Sequence, residues 1–198
     1  MTSAQSHPSV ADVVGTTIAA QGLQDAFGVL GSGNLVVTNA LCTQGALFHH
    51  ARHEGGAICM ADGYARVTGR VGICSVHQGP GLTNTMTGLT EAAKSRTPLL
   101  VLAGETPAAA LTSNFRIDQH DLVESIGAMA DRVHGARTAA DDALRAYERA
   151  QIERRPVVLM VPTGGLSQPN RPGGVFWDPE ADAALLTALR QGLRPGIP

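Results

Sequence analysis

Apolar positions along this chain follow two spacings. Val10, Val13, Val14, Thr17 and Ile18 recur at helical intervals, predicting a helix from Val10 to Gln21. Ala26 to Leu30 is a short apolar run ended by Gly31-Ser32-Gly33-Asn34, which reads as a strand and its turn. The same alternation continues: helix Asn34 to Leu41, strand Ala46 to His49, helix His53 to Thr68 closed by Gly69, and strand Val71 to Val76. Next come a helix from Leu82 to Ser95, a strand Pro98 to Ala103, a helix Asp118 to Ile126 and a weak strand Ala130 to Ala136. The helix Ala139 to Gln151 carries Ala140, Ala143, Leu144 and Tyr147 at i, i+3, i+4, i+7, and Val157 to Val161 is the last strand.

Short, nearly all-apolar strands separated by helices predict a doubly wound α/β domain. Its six-stranded, mostly parallel sheet carries helices on both faces. In such sheets ligands bind outside the carboxyl ends of the strands. The turns after the first and third strands, and the stretch leading into His53-Glu54, lie on that edge. The domain is expected to span residues 1–162. The Gly- and Pro-rich stretch Thr163 to Asp178 reads as a linker, and Ala181 to Leu193 as one more helix.

Composition narrows the function classes. The 198 residues are 43% hydrophobic and only 16% charged, which supports a core and suggests surface hidden in an assembly. The net charge of −2, without a basic stripe, and aromatics at 4% argue against nucleic-acid binding. No apolar run approaches the ~20 residues of a membrane span. The polar start from Met1 to Ser9 carries no signal-peptide pattern. Cys42, Cys59 and Cys74 lack CxxC spacing and read as buried thiols in a reducing, cytoplasmic setting.

Glu54 is the most informative candidate. An acid followed by Gly55-Gly56 opens a helix of small residues. The helix dipole alone accounts for an acid there. The glycines, however, allow backbone or ligand to approach, and a buried acid lacking a basic partner is costly enough to suggest a function. Gly31-Ser32-Gly33 lacks the third glycine of a dinucleotide fingerprint, whose place is taken by Val36, and fits a tight turn better. Gly79-Pro80-Gly81-Leu82-Thr83-Asn84 lacks the lysine of a phosphate loop. It could still offer free N–H groups, a rigid wall at Pro80 and the Asn84 amide to a ligand. The run His49-His50-Ala51-Arg52-His53-Glu54 has Ala57 where a zinc-protease helix needs histidine, so no metal site is expected in this chain. His77 and Gln78 fall at the carboxyl end of the third strand, where active sites gather. Asp118 serves as a helix cap, with a role for Gln119 or His120 a minority reading.

These residues converge on a family. His53-Glu54-Gly55-Gly56-Ala57 with Ala61-Asp62-Gly63-Tyr64-Ala65-Arg66-Val67-Thr68-Gly69 resembles the N-terminal pyrimidine-binding (PYR) domain of thiamine-diphosphate enzymes. Phe27-Gly28-Val29-x-Gly31, Gly79-Pro80-Gly81-x-x-Asn84 and Gly88-Leu89-x-Glu91-Ala92 with Pro98 and Gly104 match in the same order. The resemblance spans roughly Val10 to Pro162. It is closest in style to the acetolactate-synthase, benzoylformate-decarboxylase and oxalyl-CoA-decarboxylase group.

The resemblance implies that Glu54 hydrogen-bonds N1′ of the cofactor's aminopyrimidine and shares a proton with it, so that the ring's exocyclic nitrogen can deprotonate C2 of the thiazolium. It implies that Pro80, Asn84, Gly31 and Gly33 contact the cofactor, that Ser32 and Gln78 face the substrate pocket, and that His77 handles substrate protons. Arg116, after Phe115, departs from the family's Phe-Gln. Family members continue through a middle domain and a diphosphate-binding domain, whose Gly-Asp-Gly and downstream asparagine hold Mg²⁺. That pattern is absent here, since Asp62-Gly63 follows Ala61. The chain is therefore expected to work with a diphosphate-binding domain or subunit, as a homodimer or hetero-oligomer, on a small 2-keto acid. Alone it should bind cofactor weakly or not at all. Residues 163–198 resemble the start of the middle domain. Two rivals are a non-catalytic interaction module, disfavoured by Glu54, and a nucleotide-binding protein, disfavoured by the missing glycine.

Overall fold

The computed structural model of the protein describes residues 8–162. The linker and terminal helix expected from residue 163 onward lie outside the described residues. Among the described residues seven helices and six strands follow in the order α1 (Val10–Ala19), β1 (Asp25–Gly28), α2 (Leu35–Thr43), β2 (Leu47–His50), α3 (Glu54–Thr68), β3 (Gly72–Val76), α4 (Pro80–Thr83), α5 (Met86–Lys94), β4 (Leu99–Glu105), α6 (Gln119–Ser125), β5 (Met129–Arg132), α7 (Ala139–Glu153) and β6 (Val157–Pro162). The strands form one sheet in the order β2-β1-β3-β4-β6-β5, and every neighbouring pair is parallel.

The period-two alternation of the strands builds two cores. In β4, Leu100 and Leu102 join the face covered by α1, α2 and α7, with Val14, Ile18, Val37, Leu41, Ala143 and Ala146. Leu99, Val101 and Ala103 join the opposite face with Ala57, Ile58 and Ala61 of α3, Leu89 of α5 and Val123 of α6. Burial on both faces explains why the strands read as continuous apolar runs. The chain leaves β1 for β2 on one side and crosses to β3 on the other. The carboxyl ends of β1 and β3 therefore flank a topological switch point, where a crevice opens.

Three expectations need correction. The helix expected from Leu82 to Ser95 is broken into α4 and α5. The Thr85 N–H turns to Leu82 O at 3.0 Å, and the Thr85 hydroxyl donates to the same carbonyl at 2.7 Å. Hydroxyls that bond nearby carbonyls compete with the regular ladder. The strand expected over Ala130 to Ala136 is shorter and earlier, because His134 N–H leaves the sheet to donate to Asp142 Oδ2 at 2.8 Å. Of the three cysteines only Cys74 is buried; Cys42 and Cys59 sit exposed on helices. Among the described residues no helix is long and apolar enough to cross a membrane.

Asp142 anchors the β5–α7 connection. Its carboxylate, 3% exposed, accepts from His134 N–H, from the Thr138 hydroxyl at 2.8 Å and from Arg145 at 2.8 Å. Burial opposes its ionisation, but these donors outweigh burial and lower its pKa to about 2. A depressed folded-state value means that the stabilisation is complete above the ordinary carboxylate value and disappears as pH falls toward about 2. Asp142→Ala should lower Tm by about 5 °C near neutrality, because it removes the one acceptor shared by His134, Thr138 and Arg145. Thermal unfolding across pH should show the gap between native and variant closing under acid conditions. An equal gap at every pH would count against the anchor.

Candidate functional site

Glu54 is placed by the start of α3. His53 adopts an extended backbone, φ −155° and ψ 142°, and its Nδ1 accepts the Gly55 N–H at 3.0 Å, capping the helix. Glu54 then occupies the first turn, where the helix dipole favours a negative charge. Its side chain reaches the β3–α4 turn. Asn84 Nδ2 donates to Oε2 at 2.9 Å, and Oε1 lies 3.5 Å from where a Cβ on Gly81 would stand. The sequence suggested a buried acid without an obvious partner. In the described chain Glu54 is half-buried, because α3 begins at the open edge of the crevice, and Asn84 is its partner. Gly55 lies against the Asn84 backbone carbonyl, whereas a Cβ on Gly56 would meet open space. Close approach therefore applies to the first glycine of the pair only.

The β1–α2 loop forms the facing wall. Asn34, fully buried, accepts the Gly31 N–H at 2.8 Å and donates to Val29 O and Ser75 Oγ, both at 3.1 Å. Thr38 and Ser75 hydroxyls complete this buried network at 2.7 Å. It fastens the Gly31-Ser32-Gly33 turn to β3, across the switch point. Satisfied buried polar networks are rigid and costly to disturb.

His77 links the two walls. Its Nδ1 is 2.8 Å from Gln78 O, a carbonyl that can only accept, so in the neutral ring Nδ1 carries the hydrogen and Nε2 keeps a lone pair. Nε2 is 3.4 Å from Ser32 Oγ. The Phe115 ring packs edge-on at 4.7 Å between centroids. The Cβ of His77 is 3.0 Å from the position of a Cβ on Gly81, so this glycine separates His77 from Glu54. Gln78 is 5% exposed, and its Oε1 has no hydrogen-bond partner. That amide fills the space where a Gly33 side chain would start. Pro80, at the first position of α4, is exposed beside the crevice. α4 is only four residues long, too short to serve as the anion-binding helix start that its sequence suggested.

The remaining candidates play structural parts. His49 Nε2 pairs with Asp25 at 2.7 Å, His50 packs edge-on against Phe48, and His53 is a cap, so the histidine run is dispersed. Asp118 caps α6 by accepting the Asp121 N–H at 3.1 Å. Arg116 donates to Ala108 O at 3.2 Å within the β4–α6 segment. Burial, reinforced by the Glu54 charge, pushes the Cys74 thiol well above its usual range, so it remains protonated inside the sheet.

Sequence reasoning missed Asn34, Thr38 and Ser75, and gave Gln119 only a minor role. A serine inside the otherwise apolar run Gly72–Val76 was the available signal for the first network. Gln119 has its own signal only in three dimensions, because its partners are backbone groups of other elements.

The packing of Gln78 on Gly33 gives a direct test. Gly33→Ala should destabilise the protein by about 1–2 kcal/mol, the cost of displacing a packed side chain. Combining it with Gln78→Ala should recover at least half of that loss in denaturant unfolding. Additive losses would show that the two residues do not meet as described.

Comparison with known proteins agrees with this geometry. The family model for the thiamine pyrophosphate enzyme, N-terminal TPP binding domain, matches residues 8–131. A second model, the C-terminal domain of an uncharacterised family (UPF0261), matches residues 72–198 and brings no activity with it. The chain is 34% identical over 158 residues to a Pseudomonas aeruginosa protein named "Probable 2-ketoarginine decarboxylase", covering 77% of this chain and 28% of that protein. It is 30% identical over 148 residues to sulfoacetaldehyde acetyltransferase of Alcaligenes xylosoxydans, covering 74% of this chain and 24% of the relative. Against the acetolactate synthase isozyme 3 large subunit of Escherichia coli it is 43% identical over 98 residues, 49% of this chain and 17% of the relative. The matched region thus spans less than a third of each of these relatives. The all-parallel sheet and the match across Glu54, His77 and Asn84 together establish that the chain belongs to the thiamine pyrophosphate enzymes, through their N-terminal TPP-binding domain.

Proposed function

We propose that this chain is the pyrimidine-binding part of a thiamine-diphosphate-dependent 2-keto acid decarboxylase or carboligase, with Glu54 as the group that activates the cofactor. The observation that carries the proposal is the Glu54 carboxylate at the switch point, one oxygen held by Asn84 and the other beside Gly81. The cradle fits an aminopyrimidine in kind. It offers a carboxyl group, the bare backbone of Gly81 beside it, and the flat wall of Pro80.

Thiamine diphosphate, when bound, supplies an electron sink next to the substrate carbonyl. The residues of this chain orient it and manage protons. Glu54 would hold the shared proton on Oε1 and donate it to the ring nitrogen, while the Asn84 amide, donating to Oε2, fixes the orientation of the carboxyl group. Gly31 and Gly33, assigned to the cofactor side of the site, let the β1–α2 loop come close to His77 and Gln78. His77 Nε2, with its lone pair, can take a proton from a substrate or intermediate hydroxyl and return it as an acid. Ser32 and Gln78 line the substrate side of the same crevice.

The proposal includes a diphosphate-binding domain or subunit that supplies the Mg²⁺ site. Assembly at least to a dimer through α3 and α5 is supported by the outer face of α3. There Gly56, Cys59, Met60, Gly63 and Val67 are exposed, and Val67 is 87% exposed. The exposed thiols of Cys42 and Cys59 suit a cytoplasmic location.

Reconstitution with a diphosphate-domain partner, thiamine diphosphate and Mg²⁺ tests the reading. The mixture should decarboxylate 2-keto acids, and Glu54→Gln should lower kcat by about 10²–10⁴-fold. An unchanged rate in that variant would refute the assignment of Glu54. His77→Ala should lower kcat about a hundredfold while Kd for thiamine diphosphate changes little. An unchanged kcat would leave His77 without a proton-transfer role.

A further inference from the structure

The strands β3 and β4 run in register as far as the pair Val76 and Ala103, and then part. β4 continues beside β6, with Gly104 opposite Val161. The chain after β3 turns at Gly79 into α4. Beyond that last pair the sheet offers the Gly79 N–H no partner on β4. One side chain bridges the gap: Gln119 Oε1 accepts the Gly79 N–H at 2.9 Å, and Gln119 Nε2 donates to Gly104 O at 3.0 Å. Gln119 is 6% exposed and spends one donor and its acceptor on these two backbone groups.

The turn that Gln119 grips is conformationally demanding. Gly79 has φ 61° and ψ −111°, a left-handed conformation, and the Phe115 carbonyl occupies the space of any side chain there. Gly79 is therefore held between the amide of Gln119, the first residue of α6, and the backbone of Phe115 in the segment before it. Immediately after it in the chain stand Pro80, then Gly81 beside Glu54 Oε1, and at the end of α4 Asn84 on Glu54 Oε2.

We infer that Gln119 is a positioning residue of the cofactor site, fixing the Gly79-Pro80-Gly81 turn and through it the setting of the Glu54 carboxylate. The inference rests on the proposed binding of thiamine diphosphate at Glu54. It differs from the role of an ordinary buried amide in one respect: disturbing it should weaken cofactor binding without loosening the sheet.

Two variants and two readouts test it. In Gln119→Leu, hydrogen exchange at the Gly79 amide should accelerate by about tenfold or more, the effect of losing its acceptor, while Val101 and Leu159 keep their protection. In the complex reconstituted with a diphosphate domain and Mg²⁺, Kd for thiamine diphosphate should rise about tenfold, with kcat at saturating cofactor changed less. Gln119→Glu adds a pH signature. When protonated, the introduced carboxyl can still accept from Gly79 and donate to Gly104 O; when ionised, it faces that carbonyl as a second acceptor. Its cofactor affinity should approach the native value at acid pH and fall as pH rises.

Faster Gly79 exchange with unchanged Kd would overturn the inference, as would equal loss of protection in the central strands. A Gln119→Glu affinity that tracks the native pH dependence would also overturn it. If the native complex binds no thiamine diphosphate, the cofactor reading fails. The clamp is then decided by exchange alone, and native-like Gly79 exchange in Gln119→Leu would refute it.

Discussion

Backbone groups at the carboxyl edge of a parallel sheet must find partners once the strands separate, and this constraint shapes every feature of the crevice. A buried N–H or carbonyl without a partner costs roughly 1–3 kcal/mol, which is large beside total stability. At the end of β1 the Asn34 amide serves Gly31 N–H and Val29 O. At the ends of β3 and β4 the Gln119 amide serves Gly79 N–H and Gly104 O. Two side-chain amides therefore do what the ladder can no longer do, and they do so on the two walls of the switch point. Side chains thus satisfy backbone groups that strand pairing no longer reaches.

Glu54 is an added element on this frame. Its position follows from the His53 cap and the first turn of α3, while its orientation follows from Asn84 across the gap. The break between α4 and α5 falls beside Asn84, where the ladder is interrupted at Thr85. His77, whose hydrogen is assigned to Nδ1 by the Gln78 carbonyl, is separated from Glu54 by Gly81. The two groups proposed to handle protons thus stand on either side of one glycine, and each is oriented by a neighbour that does not titrate in the physiological range.

The fold was legible because a parallel sheet covered on both faces leaves a strong trace. Leu99 to Ala103 and Val157 to Val161 are fully apolar and could hardly be other than buried strands. That Glu54, His77 and Asn84 would be neighbours was legible in outline for a different reason: they stand next to turns, and turn chemistry is local. What escaped was non-local. Asn34 reads as an ordinary helix start until Ser75 is found 41 positions away. Gln119 reads as a helix start until its bonds to Gly79 and Gly104 are seen. The short β5 reflects competition from Asp142 for the His134 N–H, which no periodicity could reveal.

The role proposed for the Glu54 carboxylate, at the switch point of this sheet, is to activate thiamine diphosphate. Hydrogen–deuterium exchange at C2 of the thiazolium, followed by NMR without substrate, measures that step in isolation. In the complex reconstituted with a diphosphate-binding domain, the native chain should accelerate exchange over free cofactor, and Glu54→Gln should abolish most of that acceleration while cofactor remains bound. Equal exchange rates in the two complexes would contradict that role.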